Sequence, residues 1–198
     1  MIEKFIWEVV LEDVYVVNQL EKEKNQDNRI EKVNILGSHI QLSKSINSRT
    51  KIIYGSETYH NHVNSSAFSL NILNNDSSNI SPRYPSGGGR TFFTALYGNI
   101  NIKSNHFSLL AGARYTWNYL SASYLDNNLP FLTNDFKTKR HSLNGSLNTI
   151  FYPASHLKIH FDINTGFRAP NVDDLGKTFY KDQFLTVPNT DLIPEYSY

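Results

Sequence analysis

Leu157-Lys-Ile-His-Phe-Asp-Ile-Asn164 alternates apolar and polar residues without exception. The odd-numbered positions are aliphatic or aromatic, and the even-numbered positions are charged or polar. Because successive side chains of a β-strand point to opposite faces, a period of two predicts a strand with one apolar and one polar face. This stretch therefore indicates a β-protein in which one face of the sheet is wet.

The same alternation extends back through the chain. In the segment 107–119, Tyr115, Trp117 and Tyr119 end an apolar face, while Arg114 and Asn118 fall on the other face. The pattern predicts six strands, at roughly 33–44, 50–66, 92–103, 106–124, 138–152 and 156–166. The segment 1–17 is interpreted as a strand or a short amphipathic helix, and the charged segment 19–32 as a loop.

The connections between these strands alternate in length. Three are short, at Ser45–Arg49, Ser104–Asn105 and Pro153–Ser155. Three are long, at Leu73–Thr91, Leu125–Lys137 and everything after Phe167. Outer-membrane barrels have tight turns on one rim and long loops on the other, and their strands exceed the usual five or six residues. The fold class predicted is therefore all-β, an antiparallel transmembrane β-barrel segment.

Composition agrees with this fold and excludes several functions. Aromatic residues reach 13% and charged residues only 19% of the 198 residues, which suits strands with one apolar and one wet face. The net charge of +1 argues against a nucleic-acid partner. The chain has no Cys, which excludes disulfides and thiol catalysis. Acidic residues, Glu8 among them, interrupt the apolar start, so we expect no signal peptide within this chain.

Two segments near the end carry a family resemblance. Gly166-Phe-Arg-Ala-Pro170 and, after a long loop, Pro188-Asn-Thr-Asp-Leu-Ile-Pro-Glu195 resemble the barrel signature of TonB-dependent outer-membrane receptors. Tyr54-Gly-Ser-Glu57, Ser81-Pro-Arg-Tyr-Pro85 and Gly112-Ala-Arg-Tyr115 are similar to further motifs of that family, in the same order. The resemblance covers about residues 19–198. It implies a structural role at the loop mouth for Gly166, Phe167, Arg168, Ala169, Pro170, Asn171, Pro188, Asn189, Pro194 and Glu195.

The resemblance implies a domain organisation and a function. The segment 1–32 would be an N-terminal piece and loop, and 33–198 part of the receptor barrel, with six or seven of its 22 strands. The family takes up scarce nutrients across the Gram-negative outer membrane: ferric siderophores, haem, cobalamin or glycans. Its partners are a plug domain, the remaining strands, the TonB complex, outer-membrane lipid and an extracellular ligand. We accordingly expect no enzyme activity, no cofactor, and no transport by this chain alone, since an open arc leaves backbone groups unsatisfied in lipid.

Histidine pairs could indicate a metal site, but their spacing argues otherwise. His60 and His62 share one face of a strand and are interpreted as polar residues of the rim or lumen, because a metal site needs further ligands. His156 and His160 lie about 13 Å apart along a strand at ~3.3 Å per residue, too far to chelate one ion. Neither pair is expected to bind a metal.

Three other features in the long connections have structural interpretations. Asp173 and Asp174 are expected on an extended segment, pairing with Arg168 or Lys177 rather than acting in acid–base catalysis. The segment Ser86–Gly89 lacks the remainder of a phosphate-binding motif and is interpreted as a flexible loop. Pro170 removes a backbone donor and should end the strand, which leaves Arg168 at the wet mouth.

Two alternative folds remain open from the residues. A soluble β-sandwich acting as a carbohydrate-binding or adhesive module would explain the strands and aromatic residues, but not the alternating connection lengths. A complete small barrel of about eight strands would need more strands than six. It would also end on a full strand, whereas Tyr196-Ser-Tyr198 begins one.

Overall fold

The computed structural model describes residues 4–21, 24–125, 135–181 and 184–198, and within these ranges it has one helix. All other elements are strands, as the alternating pattern predicts. In chain order the elements are β1 Lys4–Glu21, β2 Asn25–Asn47, β3 Thr50–Asn71, β4 Ser77–Asn79, β5 Gly89–Lys103, β6 Phe107–Ser123, β7 Asp135–Ala154, β8 Leu157–Asn164, β9 Gly166–Arg168, α1 Val172–Gly176, β10 Phe179–Lys181, β11 Phe184–Thr186 and β12 Glu195–Ser197.

The long strands form one antiparallel sheet in the order β1-β2-β3-β5-β6-β7-β8, with the short β4 added beside β3. The remaining short strands form two antiparallel two-stranded sheets, β9 with β12 and β10 with β11. Strands β1 and β8 are the two edges of the sheet within the described ranges. The prediction of an antiparallel all-β fold is confirmed, and the single sheet does not have the two packed layers of a sandwich.

The start of the chain agrees with the prediction only in part. Segment 4–21 is a strand, which confirms the first of the two alternatives, whereas β2 begins at Asn25, so most of the loop predicted at 19–32 is wrong. The charged residues of this segment lie on the part of β2 that extends beyond the apolar part of the sheet. A strand there has no apolar face to bury, so charged side chains do not distinguish it from a loop. The alternation of connection lengths holds only from β2 onward, because three residues join β1 to β2.

The sheet has one apolar and one polar face. Directly paired residues of an antiparallel ladder share a face, so register groups Trp7, Ile40, Leu96, Tyr115 and Leu143 into one row. These side chains are exposed, Leu96 by 62% and Leu143 by 74%. We call this side the apolar face. The next row is on the opposite side, the polar face, and contains Gln41, Gly55, Tyr97, Arg114 and Asn144.

The apolar face has the height of a bilayer core. From Phe107 to Tyr119 strand β6 advances twelve residues, or about 40 Å at ~3.3 Å per residue. At a tilt of about 45° this is roughly 28 Å along the membrane normal, close to the apolar band of outer-membrane barrels. Aromatic residues lie at both ends of the band, with Phe151 paired to Phe107. Across the described ranges no helix is long and apolar enough to span a bilayer.

The buried core lies on the polar face, at the edge that bears the long connections. Leu120, Ala122 and Phe136 of strands β6 and β7 pack with Val172 and Leu175 of α1. Tyr124 completes the cluster, and Tyr84 and Leu192 pack against its border. The segment between β9 and β12 therefore folds back over the polar face instead of extending away from the sheet.

Candidate functional site

The two halves of the motif at the end of the chain pair with each other. Strand β9 runs antiparallel to β12, with Arg168 opposite Glu195 and Phe167 opposite Tyr196. The rings of Phe167 and Tyr196 lie 5.3 Å apart between centroids. The long loop 169–194 is thus closed at its base by a two-stranded ladder, and we call the part from Ala169 to Pro194 the mouth segment.

Arg168 joins both ends of the mouth segment. Its guanidinium donates to both carboxylate oxygens of Asp174, at 2.9 and 2.8 Å, and to Glu195 at 2.9 Å. Both bonds to Asp174 come from Nη2, while Nη1 donates to Glu195, so each terminal nitrogen of the guanidinium binds a different carboxylate in a charge-assisted hydrogen bond. Asp174 also accepts from the backbone N–H of Asn171, whose side chain accepts from the Asp174 N–H in a capping box. The predicted Arg168 pairing is confirmed, with Asp174 as its partner.

Asp173 points away from Asp174 and pairs with other residues. It accepts from the Tyr84 hydroxyl at 2.6 Å and lies 3.3 Å from the Lys177 ammonium. Burial would raise the pKa of Asp173, but the hydrogen bonds from Tyr84 and Lys177 outweigh it and lower that pKa. Burial and the bond to Asp173 raise the pKa of Tyr84 to about 12. Both acids lie in the first turn of α1, so the expected extended conformation is wrong, because Asn171 caps a helical turn.

Buried apolar contacts hold the mouth segment on the sheet. Leu175 is 1% exposed within the core cluster. The Tyr124 hydroxyl donates to the Gly176 carbonyl, and burial raises the pKa of Tyr124 to about 12. The Asn189 N–H donates to the Leu175 carbonyl at 3.0 Å, which ties the second half of the motif to α1. Ala169, Pro170, Pro188 and Pro194 are half-buried around these contacts.

The glycine-rich segment before β5 is bonded to the sheet. The Gly87 N–H donates to the Ser123 carbonyl at 2.8 Å, and the Ser86 hydroxyl accepts from the Leu125 N–H. Gly88 has a φ of +88°, a conformation that glycine adopts without steric cost. Gly89 is buried, and a Cβ there would lie 3.2 Å from Val172. The glycines let the chain pass closely between β6 and α1, which spacing alone did not indicate.

A second polar cluster lies on the polar face, below the mouth segment. The Arg114 guanidinium donates to the Glu57 carboxylate at 2.6 Å and lies over the rings of Phe93 and Tyr97, 5.7 and 5.9 Å from their centroids. Ala95 of the intervening strand is directly opposite Glu57 and buried, so its small side chain leaves room for the pair to cross β5.

Tyr97 extends this cluster toward strand β2. Its hydroxyl lies 2.7 Å from the His39 Nε2 and donates to the Gln41 side chain at 3.3 Å. These residues line a groove of about 450 Å³ that Asn144 and Thr165 border on the other side. Glu57 and Arg114 each belong to a motif quoted above, but the motifs are 57 residues apart in sequence and did not show that the two side chains meet.

The histidine pairs have no shared partner that indicates a metal. His60 lies on the apolar face opposite Leu36 and Phe92, and His62 follows on the same face. The predicted common face is confirmed, but it faces away from the lumen side. His160 pairs with Ile150 on the opposite face. Among the described residues no group of three or more His, Asp or Glu side chains could hold a metal ion.

Comparison with known families decides between the alternatives. The family model described as "TonB dependent receptor-like, beta-barrel" matches residues 13–198. The chain belongs to this family. Its members are outer-membrane receptors of Gram-negative bacteria, so the open sheet is a β-barrel fragment of the receptor fold rather than a sandwich.

Similarity to individual receptors is local. The chain is 39% identical over 72 residues to hemoglobin and hemoglobin-haptoglobin-binding protein C of Haemophilus influenzae, covering 36% of this chain and 7% of that protein. It is 39% identical over 82 residues, 40% of this chain and 7% of the relative, to the probable hemoglobin and hemoglobin-haptoglobin-binding protein 3 of the same species. The chain thus spans less than a tenth of the length of these curated relatives.

Proposed function

We propose that this TonB-dependent receptor segment forms part of the barrel wall and mouth of an outer-membrane transporter that obtains its nutrient from haemoglobin. The main support for this proposal is a sheet that is apolar on one side, polar on the other, and covered on its polar side by the mouth segment. This arrangement suits a wall between lipid and an aqueous interior. The cargo class rests on the haemoglobin-binding names of the relatives.

The mouth segment offers a surface that suits a protein ligand. Its large apolar side chains include Phe184, exposed by 79%, and Ile193, exposed by 78%. Aromatic side chains are enriched where proteins bind each other, and an exposed one at a wet mouth has no lipid to contact. The contacts of Arg168 and Leu175 hold the base and α1 of the segment that bears this surface, which would lower the entropy lost on binding.

The polar face has a separate task in the proposal. The Glu57–Arg114 cluster and its groove line the interior of the barrel, where they would contact the plug domain and border the path of the nutrient. The plug would contact TonB, which supplies the energy. The remaining strands close the sheet along β1 and β8, whose unpaired backbone groups lipid cannot satisfy. The chain alone would then neither insert nor transport.

Growth of cells that depend on the intact receptor tests the cargo. A strain deleted for the receptor gene and complemented with it is supplied with iron as haemoglobin, free haem or a ferric siderophore, or is tested for cobalamin or glycan use. We expect rescue on haemoglobin that requires TonB. Rescue on another nutrient alone would refute the haemoglobin cargo, and rescue on none would refute transport.

A variant of the mouth segment tests the binding surface. Phe184→Ser removes an exposed aromatic side chain and should weaken haemoglobin binding to whole cells by roughly tenfold, as for a moderate interface hot spot. Thr186→Ala, on the same short strand and also exposed, should bind like the parent. Equal binding by all three would contradict the proposed surface, while surface labelling confirms that each variant reaches the membrane.

A further inference from the structure

Three cations form a cluster on the apolar face at the edge of the long connections. Arg90 is paired with Ser121, and Ser121 with Lys137, so the two cations lie two strands apart, or about 10 Å. Lys139 is two residues further along the same strand as Lys137, about 7 Å away. All three residues are exposed. We call Arg90, Lys137 and Lys139 the cation cluster.

The cation cluster has no protein partner among the residues that the structure describes. None of its three side chains makes a hydrogen bond or an ion pair with them. Asp135 is the one acid lining the groove of about 250 Å³ beside Arg90 and Lys137, within the same described ranges. The cluster therefore keeps a net positive charge, and a groove lined by Ser121 and Ser123 adds hydroxyl groups to it.

The position of the cation cluster along the membrane normal identifies what it faces. Phe92, Trp117 and Tyr119 contact one another on the same face, with Phe92 and Trp117 5.6 Å apart between ring centroids. Aromatic belts of this kind lie at the membrane–water interface. Arg90 is two residues beyond Phe92 on strand β5, so it lies one row further from the apolar band. The cluster is thus at the height of the lipid headgroups, on the edge with long loops that faces outward in such barrels.

We propose that the cation cluster binds the phosphate groups of the phosphorylated glycolipid in the outer leaflet. Cations beside a membrane attract anionic headgroups, and Arg and Lys both donate to phosphate oxygens. The acyl chains of the same lipid would pack on the aromatic belt and on Leu96 and Leu143 below it. The site depends on the membership in the receptor family and is independent of which cargo the receptor takes.

The lipid source can be distinguished by its phosphates. The intact receptor that contains this chain is purified in mild detergent and titrated with lipid A or with its dephosphorylated form, and bound lipid is counted by native mass spectrometry. We expect tighter binding of the phosphorylated form and a weakening with salt. Equal binding of both forms would overturn the proposal, because the aromatic belt alone would then account for the lipid.

Variants locate the site. Replacing all three cations (Arg90→Gln, Lys137→Gln, Lys139→Gln) should weaken binding of phosphorylated lipid about fivefold per charge, on the order of a hundredfold in total. The charge-preserving set Arg90→Lys, Lys137→Arg and Lys139→Arg should bind within a few-fold of the parent. Lys158→Gln removes one exposed cation from the polar face and should change nothing.

Two controls separate loss of folding and loss of total charge from loss of the site. Heat-modifiable migration on gels confirms that each variant is a folded barrel before lipid is added. If the folded triple variant binds phosphorylated lipid A as tightly as the parent, the cluster is not the site. If Lys158→Gln also weakens binding about fivefold, as much as the loss of one cation of the cluster, the effect is one of total charge, and the proposal is wrong.

Discussion

Replacing Leu175 by Ala tests whether apolar packing holds the mouth segment on the polar face. Leu175 is 1% exposed and lies in α1, a helix of only five residues. A helix this short is not stable by itself in water, so its structure depends on its tertiary contacts. Leu120 and Val172 belong to the same cluster, and truncation of Leu175 would leave a cavity between them.

The expected effect is a large loss of local stability. A buried Leu→Ala change costs about 3 kcal/mol, the sum of lost burial and the cavity left behind. At ~1.4 kcal/mol per factor of ten, opening of the mouth segment should become roughly 150-fold more frequent. The global stability of the sheet should change little, because the strands are held by their own ladders.

Hydrogen exchange of backbone amides in the intact folded receptor measures this opening. The N–H groups of Leu175, Thr178 and Asn189 donate to carbonyls within 3.1 Å and report on the segment. Their exchange should accelerate together in Leu175→Ala, while amides of β6 keep their protection. Ile193→Ala shortens an aliphatic side chain that is 78% exposed in the same segment and should leave the rates unchanged. Unchanged exchange in Leu175→Ala would refute the view that packing, rather than the ion pairs, holds the segment.

Three further changes test other contacts. Gly55→Ala should destabilise the barrel by about 1–3 kcal/mol in urea unfolding, because its Cβ would clash with the Ile40 carbonyl and lie 2.6 Å from the Tyr97 hydroxyl. Gly98→Ala should not, because the nearest atom to its Cβ would be 4.0 Å away. The pKa of Asp173 is lowered in the native state, so this carboxylate stabilises the mouth segment above its usual pKa of 3.8. The stabilisation is lost as the pH falls through the native pKa. Amide exchange near Thr178 should therefore rise below about pH 4, and it should rise less in Asp173→Asn. The pKa of Tyr124 is raised from 10.0 to about 12, so its neutral hydroxyl stabilises the mouth segment below pH 10, and this stabilisation is lost as the pH rises through the native pKa. Amide exchange should therefore rise between pH 10 and 12 in the parent but not in Tyr124→Phe.

Much of the sheet could be predicted because its information is local. The period of two placed Arg114 and Asn118 on one face and three aromatic residues on the other, and the register confirms both groups. All six predicted strands are present, since each alternates between the apolar and the polar face of the sheet. The failure at 19–32 arose because this part of β2 extends past the apolar band. Asp27, Asn28 and Glu31 are buried there by contacts that charge content cannot reveal.

The contacts of the mouth were less predictable, because they join residues that are distant in sequence. Arg168 was assigned a place at the mouth, but its partner depended on a helical turn that Asn171 caps, and two adjacent acids do not indicate a helix by themselves. Tyr84 and Asp173 are 89 residues apart, and Glu57 and Arg114 are 57 apart. An alternating pattern determines which face a side chain occupies but is identical for every register shifted by two residues.

The two polar clusters differ in how the sheet produces them, and this difference bears on function. Glu57 and Arg114 meet across β5 because both lie on the polar face in a fixed register and the small Ala95 stands between them, so their geometry is as rigid as the ladder. Asp173 and Asp174 reach their partners only while Leu175 keeps the mouth segment folded. A ligand or a pH change can therefore open the mouth segment for a free energy comparable to that of burying one side chain. Separating Glu57 from Arg114 would require the sheet itself to change. The structure thus combines a rigid wall with a mouth whose stability rests on a few named contacts.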